Sequence, residues 1–266
     1  MYETYYEMVK TPFTRDIPCD KLFVSANQKE VLMRLQYVAK RQLFCVISGP
    51  CGTGKSTLIR KFSESLNASE YKLLYISDSK LTARNLYKKL LGKLGYEAKY
   101  YVGDAKVQLM NEIESMKAVE HKHVVLLIDE GHLLSREMFE EVRFLMNTHM
   151  DSKSPMALII VGQQELWSKL QLQNYTAIRQ RIDIHGKLTC FDKSEVKEYI
   201  DHQLKYAGCS SDIFTEKAID EIYQYSKGSA RLVNKVCTSS LIYGCQNKNR
   251  LIDDHIIKMI IECELE

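Results

Sequence analysis

The sequence predicts an α/β protein: a three-layer αβα core around a parallel sheet over residues 1–190, followed by a small all-helical region over 191–266. Three observations predict it. An apolar run, Leu43 to Ile47, leads into G-x-x-x-x-G-K-S from Gly49 to Ser56, and an amphipathic helix follows, from Thr57 to about Leu66. A second apolar run, His123 to Ile128, ends in Asp129-Glu130. From Cys190 onward only helical patterns remain.

The first run is the pattern of a phosphate-cradling loop in its confirming context, strand then loop then helix. A polyphosphate must approach the backbone closely, so side chains at Gly49, Gly52 and Gly54 would obstruct it. Residues Gly49, Pro50, Cys51, Gly52, Thr53, Gly54, Lys55, Ser56 and Thr57 form the expected binding segment, with the backbone N–H groups of all but Pro50 and the helix N-terminus facing the phosphates. Lys55 adds a point charge at the β- and γ-phosphates, and the Ser56 hydroxyl is an expected Mg²⁺ ligand.

Composition bounds the rest. With 266 residues, 45% hydrophobic and 27% charged, the chain suits a globular core plus a smaller domain. No run reaches the ~18 apolar residues of a membrane span, and the polar, acidic start Met1-Tyr2-Glu3 is no secretory signal. The 8 cysteines include no C-x-x-C pair and read as reduced thiols of a cytoplasmic protein, not as a zinc site. Net charge is only +3, but Ser79 to Lys106 carries seven bases against two acids. Such a segment either holds phosphates or is a solvated helix surface.

Taken in order, residues 1–30 read as an extended lead-in, positioned to cover a nucleobase or simply to pack. Ser25 caps a predicted helix over Ala26 to about Arg41 with apolar Val31, Leu32, Leu35, Val38 and Ala39. Lys72 to Asp78 reads as a buried strand. Helices are expected from Thr82 to Leu94, ending near Gly95, and from Ala105 to Val119, with Tyr96–Asp104 as a loop. Asp129 then arrives at the C-terminal edge of a central strand, where ligands of open α/β sheets bind. It fits a Mg²⁺ carboxylate, and Glu130 fits the group that polarises an attacking water.

Ser135 caps a helix over Arg136 to about His149, and a loop over Asp151–Pro155 follows. Met156 to Val161 is a fully buried strand ending at Gly162-Gln163. Gln163 either caps the strand end or senses the γ-phosphate and its water. After a helix at Glu165–Leu172, Ile178 to Ile184 reads as the last strand, introduced by Arg179 and Arg181. Either arginine can serve as a finger in trans, Arg181 being favoured, or can form a local salt bridge. The helical region opens with the capping-box pattern at Asp192, running to Ala207 and closed by Gly208. Further helices start at Thr215, after Gly228 and at Asp253. Arg231 stands at the third helix start, where it can reach the nucleotide.

Together these segments resemble an AAA+ ATPase of the ExeA/GspA-like branch, whose relatives include ATPases that accompany transposases. The resemblance covers nearly the whole chain. The lead-in "MYETYYEMVKTPFTRDIP" looks like that branch's start. "GPCGTGKST", "LLIDEGHLL", "LIIVGQQELW", "IRQRI" and "GSARLVNKVC" look like its Walker A, Walker B, sensor 1, arginine-finger and sensor 2 segments. The resemblance implies ATP and Mg²⁺ bound at a boundary between subunits of a homo-oligomer, with hydrolysis tied to assembly. Secretion members continue into a membrane span, whereas this sequence stops at Glu266, so the expectation is the form without membrane insertion that partners a transposase. In that form duplex DNA is met by elements after the second core strand, here Asp78 to about Tyr101, with Lys80, Thr82 and Arg84 as the expected contacts. A secretion ATPase and a nucleotide-gated assembly module without turnover are the rival readings.

Overall fold

Apolar runs with no alternation form a parallel sheet because both of its faces are covered. Five strands, β1 (Phe44–Ser48), β2 (Tyr71–Ser77), β3 (His123–Asp129), β4 (Ala157–Gly162) and β5 (Ile184–Lys187), pair all-parallel in the order β2-β3-β4-β1-β5. The computed structural model describes residues 2–78, 80–146, 154–209 and 211–265. The chain divides into two units, one of Lys29–Gly49 and Leu58–Leu188 and the other of Met1–Gln28, Pro50–Thr57 and Thr189–Glu266.

In the sheet unit, alternate strand residues feed two cores. Cys45, Ile47, Val125, Leu127, Ile159 and Val161 pack on Val31, Leu35 and Val38 of α2 (Ala26–Arg41) and Leu58, Ile59 and Phe62 of α3 (Lys55–Ser65). Val46, Leu126, Ile128, Leu158 and Ile160 face the opposite layer. That layer is built from α4 (Ala83–Leu94), α5 (Val102–Val119), α6 (Arg136–Leu145) and α7 (Gln164–Leu170). Every β1 and β4 residue is buried. The register fixes the working edge: Ser48 pairs with Gly162, and Ser77 with Asp129, so β1 and β3 end on either side of β4.

The second unit has its own core. α9 (Lys193–Ala207), α10 (Glu216–Ser226), α11 (Ala230–Gln246) and α12 (Asp254–Ile260) bury Val196, Ile200, Ile222, Val236 and Ile257, joined by Tyr6, Met8 and Phe13 of the lead-in. The Phe13 N–H donates to Gln203 Oε1 at 3.1 Å, and the Tyr6 hydroxyl to the Asn249 carbonyl at 2.9 Å. α9 starts with a full capping box: Asp192 Oδ1 accepts from the Glu195 N–H at 2.8 Å and Glu195 Oε2 from the Asp192 N–H at 3.1 Å. The Glu195 N–H, then the Ser194 hydroxyl, hold the Asp192 carboxyl below its ordinary 3.8. A depressed folded-state value means stabilisation present above the ordinary one and lost as pH falls through the folded one. Asp192→Ala is therefore expected to cost about 1 kcal/mol in urea denaturation near neutral pH. The difference from wild type should fade below pH 3.8; a gap unchanged by acid would show that the cap is not what the substitution removes.

The structure corrects several expectations. Residues 178–183 are not a strand: α8 (Thr176–Arg179) is helical and turn bonds follow, Arg181 N–H to Ile178 O at 2.9 Å and Ile182 N–H to Arg179 O at 3.1 Å. The ladder begins only where β1 begins, with the Asp183 N–H on Phe44 O at 2.9 Å and Phe44 N–H on Asp183 Oδ2 at 2.8 Å. β2 is an edge strand, not a buried one; Leu74 and Ile76 are buried but Tyr75 is 39% exposed. Among the described residues no strand pairs with its outer side. The expected loop over 96–104 is shorter, because α5 starts at Val102. The lead-in contains a helical turn, α1 (Tyr2–Tyr5), whose tyrosines pack on the helical core. α3 starts at Lys55, two residues before its expected start. The expected end of α6 at His149 and most of the 151–155 loop lie outside the described residues.

Candidate active site

The loop leaving β1 is shaped by its own backbone before any ligand is considered. A methyl group at Gly49 would stand 2.7 Å from the Leu188 carbonyl oxygen, so the chain passes too close for a side chain. Gly52 and Gly54 sit at φ +83° and +84°, the left-handed region that disfavours other residues. The Gln28 amide donates to the Thr53 carbonyl at 3.1 Å and Thr53 Oγ1 to the Pro50 carbonyl at 3.0 Å. Lys55 Nζ donates to that same Pro50 oxygen at 2.7 Å. Ser56 and Thr57, in the first turn of α3, are exposed. A helix start leaves its first N–H groups without intrahelical partners. An ammonium, a hydroxyl and a glycine cradle on such a start suit a polyphosphate and a hard cation. Arg231, near the start of α11, lies on this loop: its Nη1 donates to Cys51 Sγ at 3.1 Å.

At the C-terminal end of β3, Asp129 is buried, 7% exposed, and both of its oxygens are engaged. Oδ1 accepts from the Glu130 N–H at 2.8 Å and Oδ2 from the Tyr75 hydroxyl at 3.1 Å. Burial first, then the Asp129 charge, pushes the Tyr75 phenol above its ordinary value, which keeps it a donor. Glu130 is set differently. Its backbone is left-handed at φ 54°, ψ 33°, unusual for a residue with a side chain, and its carboxylate is exposed, 3.5 Å from His132 Nδ1. His132 Nδ1 also accepts from the Gln163 N–H at 3.5 Å. Gln163 occupies the cap position of α7 without using its side chain as a cap, so the amide is left for another partner.

Sequence reasoning missed Tyr75, His132 and a stack at the end of β1. Trp167 of α7 lies on His185 of β5, centroids 3.6 Å apart and planes 7° from parallel, and His185 Nε2 is 2.8 Å from Ser48 Oγ, one residue before Gly49. Burial, then Lys187 and Arg34, lowers the His185 value, favouring the neutral ring that the stack holds. Only Trp167's rarity in the sequence hinted at it.

The remaining residues lie elsewhere. Arg179 Nη1 donates to the Gln171 carbonyl at 2.9 Å, and Arg181 lines a cavity beside Phe44, at the sheet edge opposite Asp129. Lys80, Thr82 and Arg84 are exposed around the start of α4; Thr82 Oγ1 caps it by accepting from the Asn85 N–H at 3.3 Å, and Arg84 lies 4.8 Å over the Tyr100 ring. Two bases of the positive segment are neutralised, Lys89 by Asp78 at 2.5 Å and Lys106 by Glu141 at 3.0 Å. Among the described residues no group of three or more His, Cys, Asp or Glu could hold a metal, and no helix is long and apolar enough to cross a membrane.

Comparison with known proteins matches these features. The sequence is 28% identical over 247 residues to general secretion pathway protein A of Aeromonas hydrophila; the match takes in 91% of this chain and 44% of that protein. The chain thus spans less than half the length of this curated relative. Its fold resembles Cdc6p of Pyrobaculum aerophilum (TM-score 0.66, 15% identity, 90% of this chain and 67% of that one). It also resembles Drosophila ORC bound to DNA (0.64, 17%, 98% and 64%) and the Holliday junction branch migration motor RuvB of Thermotoga maritima (0.61, 19%, 90% and 70%). The sequence model of the AAA domain matches residues 38–170, half of the chain, from the end of α2 through the loop and both strand-end carboxylates to α7. This protein therefore belongs to the AAA domain family, and it is an ATPase with the P-loop fold.

Proposed function

We propose that the ATPase is a nucleotide-gated homo-oligomer that binds duplex DNA in the cytoplasm and serves a transposase, with residues 1–190 as nucleotide-binding core and 191–266 as lid. Lys55 and the loop N–H groups hold the phosphates, and Ser56 and Asp129 hold Mg²⁺, which when bound supplies charge neutralisation on the phosphate oxygens. Glu130 takes the proton of the attacking water. Gln163 and Arg231 read the nucleotide from sheet and lid, and Arg181 or Arg179 reaches a neighbouring subunit's site.

The observation that carries the DNA reading is the exposed group Lys80, Thr82 and Arg84 at the start of α4. Its two cations have no carboxylate within 4 Å among the described residues, unlike Lys89 and Lys106. The Thr82 hydroxyl spends its lone pair on the cap and retains its proton for a phosphate. Helix start and cations together favour backbone phosphates. The Lys80→Ala/Arg84→Ala protein is expected to bind all duplex sequences more weakly alike, with the log–log salt slope shallower by about two. Electrophoretic shifts at several salt concentrations measure it. If the wild type shifts no duplex at low salt with ATP or a non-hydrolysable analogue, the DNA reading is lost.

The 28% identity to general secretion pathway protein A supports a second reading, a secretion ATPase acting on a membrane protein. Co-purification with an inner-membrane protein and indifference to DNA would select it.

A further inference from the structure

The Asp129 carboxylate is held at both oxygens, and only one of the two partners is local. Oδ1 accepts the N–H of the next residue, Glu130, at 2.8 Å. Oδ2 accepts the Tyr75 hydroxyl at 3.1 Å, from the neighbouring strand. β2 and β3 pair with Tyr75 opposite Leu127 and Ser77 opposite Asp129, so the phenol reaches Asp129 on the diagonal. Diagonal neighbours across a strand pair lie within reach of an aromatic side chain. The same face of β2 carries Tyr71 and Leu73, which pack on the core beneath α2 and α3. Tyr75, nearer the working edge, is exposed, while the carboxylate it serves is buried. With the Glu130 N–H alone the carboxylate still pivots about that bond. With Tyr75 on the other oxygen its plane is fixed, and each oxygen keeps a lone pair in a set direction. Mg²⁺ demands near-ideal octahedral geometry, whereas Ca²⁺ accepts more oxygens in flexible arrangements.

We infer that Tyr75 is a positioning residue for the cation that accompanies the nucleotide, and that it sets the preference of Asp129 for Mg²⁺ over Ca²⁺. The inference rests on the reading of Asp129 as a Mg²⁺ carboxylate. Removing a hydrogen-bond partner of a ligating carboxylate typically costs about 10–100-fold in metal affinity. A carboxylate freed to pivot loses more with an ion that demands geometry than with one that adapts.

Mn²⁺ is the probe, since it shares the oxygen preference of Mg²⁺. It is titrated into the full chain saturated with a non-hydrolysable ATP analogue, and the free ion is read from its electron paramagnetic resonance signal. Mg²⁺ and Ca²⁺ are ranked by the Mn²⁺ they displace. Tyr75→Phe removes the hydroxyl and keeps the ring. It is expected to weaken Mn²⁺ and Mg²⁺ about tenfold and Ca²⁺ by less than about threefold, with affinity for the analogue in EDTA unchanged. A general loosening of the fold would weaken all three ions alike. In an Asp129→Asn background Tyr75→Phe should have no further effect on Mn²⁺, because the carboxylate through which it acts is gone. That double variant buries no charge without its donor, so the comparison holds even where Tyr75→Phe alone fails to fold. Equal losses for all three ions, or a further loss of Mn²⁺ in the Asp129→Asn background, would overturn the proposal. If Asp129→Asn weakens Mn²⁺ while Tyr75→Phe stays within about twofold of wild type, the metal reading stands and the proposal alone falls. If Asp129→Asn binds Mn²⁺ as the wild type does, both fall together.

Discussion

Glu130→Gln is expected to bind ATP within about twofold of wild type while steady-state hydrolysis falls by about 10²–10⁴, the range for loss of a general base. The two strand-end carboxylates are not equivalent, and this is why the effect falls on one of them. Asp129 is buried with its oxygens on the Glu130 N–H and the Tyr75 hydroxyl, which suits a fixed charge and not a proton acceptor. Glu130 is turned out by its left-handed backbone and presents an exposed carboxylate. Glutamine keeps the size and the backbone of the side chain and removes only the basicity, so folding should be untouched. Hydrolysis by the variant above a tenth of the wild-type rate, with binding intact, would move the base elsewhere. His132, 3.5 Å from the Glu130 carboxylate, would then be next to test.

Which features were legible in the sequence follows from how local their causes are. The caps at Asp192, Thr215 and Asp253 each bond an N–H three residues away, and the predicted helix starts coincide with them. The Gly49–Ser56 loop and the strand ending at Asp129 are equally local, since glycine conformation and an unbroken apolar run are written in consecutive residues. Residues 178–184 misled because Ile182 and Ile184 alternate like a strand while Ile178 and Ile182 stand four apart like a helix. The choice was made by β1, whose first ladder bond reaches Asp183. Tyr75 became visible only through register: β2 pairs with β3, Ser77 opposite Asp129, which brings a phenol to a carboxylate 54 positions away. The Trp167–His185–Ser48 stack has the same character, three strands and helices meeting where no spacing rule connects them. The positive segment was legible as a charge count but not as a surface, because Asp78 and Glu141, which neutralise two of its lysines, lie outside it.

Lys55→Ala is expected to abolish ATP binding at concentrations that saturate the wild type, and hydrolysis with it. The loop's shape does not depend on this side chain. Gly52 and Gly54 set the backbone turn, Gln28 holds the Thr53 carbonyl and Thr53 holds Pro50. Lys55 Nζ donates to a Pro50 oxygen that Thr53 Oγ1 already serves, so that oxygen keeps a donor when the ammonium is removed. What disappears is the ammonium that neutralises phosphate charge. A ligand that binds only the folded state at 100 times its Kd stabilises by about 2.7 kcal/mol. Wild type should show that gain as a rise in melting temperature with ATP and Mg²⁺, and Lys55→Ala should show none while melting normally without nucleotide. Lys55→Arg provides a sharper comparison. It keeps the charge but replaces a compact ammonium by a planar fork on a longer stem, and it should recover only part of the shift. A full thermal shift in Lys55→Ala would place the nucleotide away from this loop. A full shift with hydrolysis alone lost would mean that Lys55 acts on charge developed in the transition state and not on the bound phosphates.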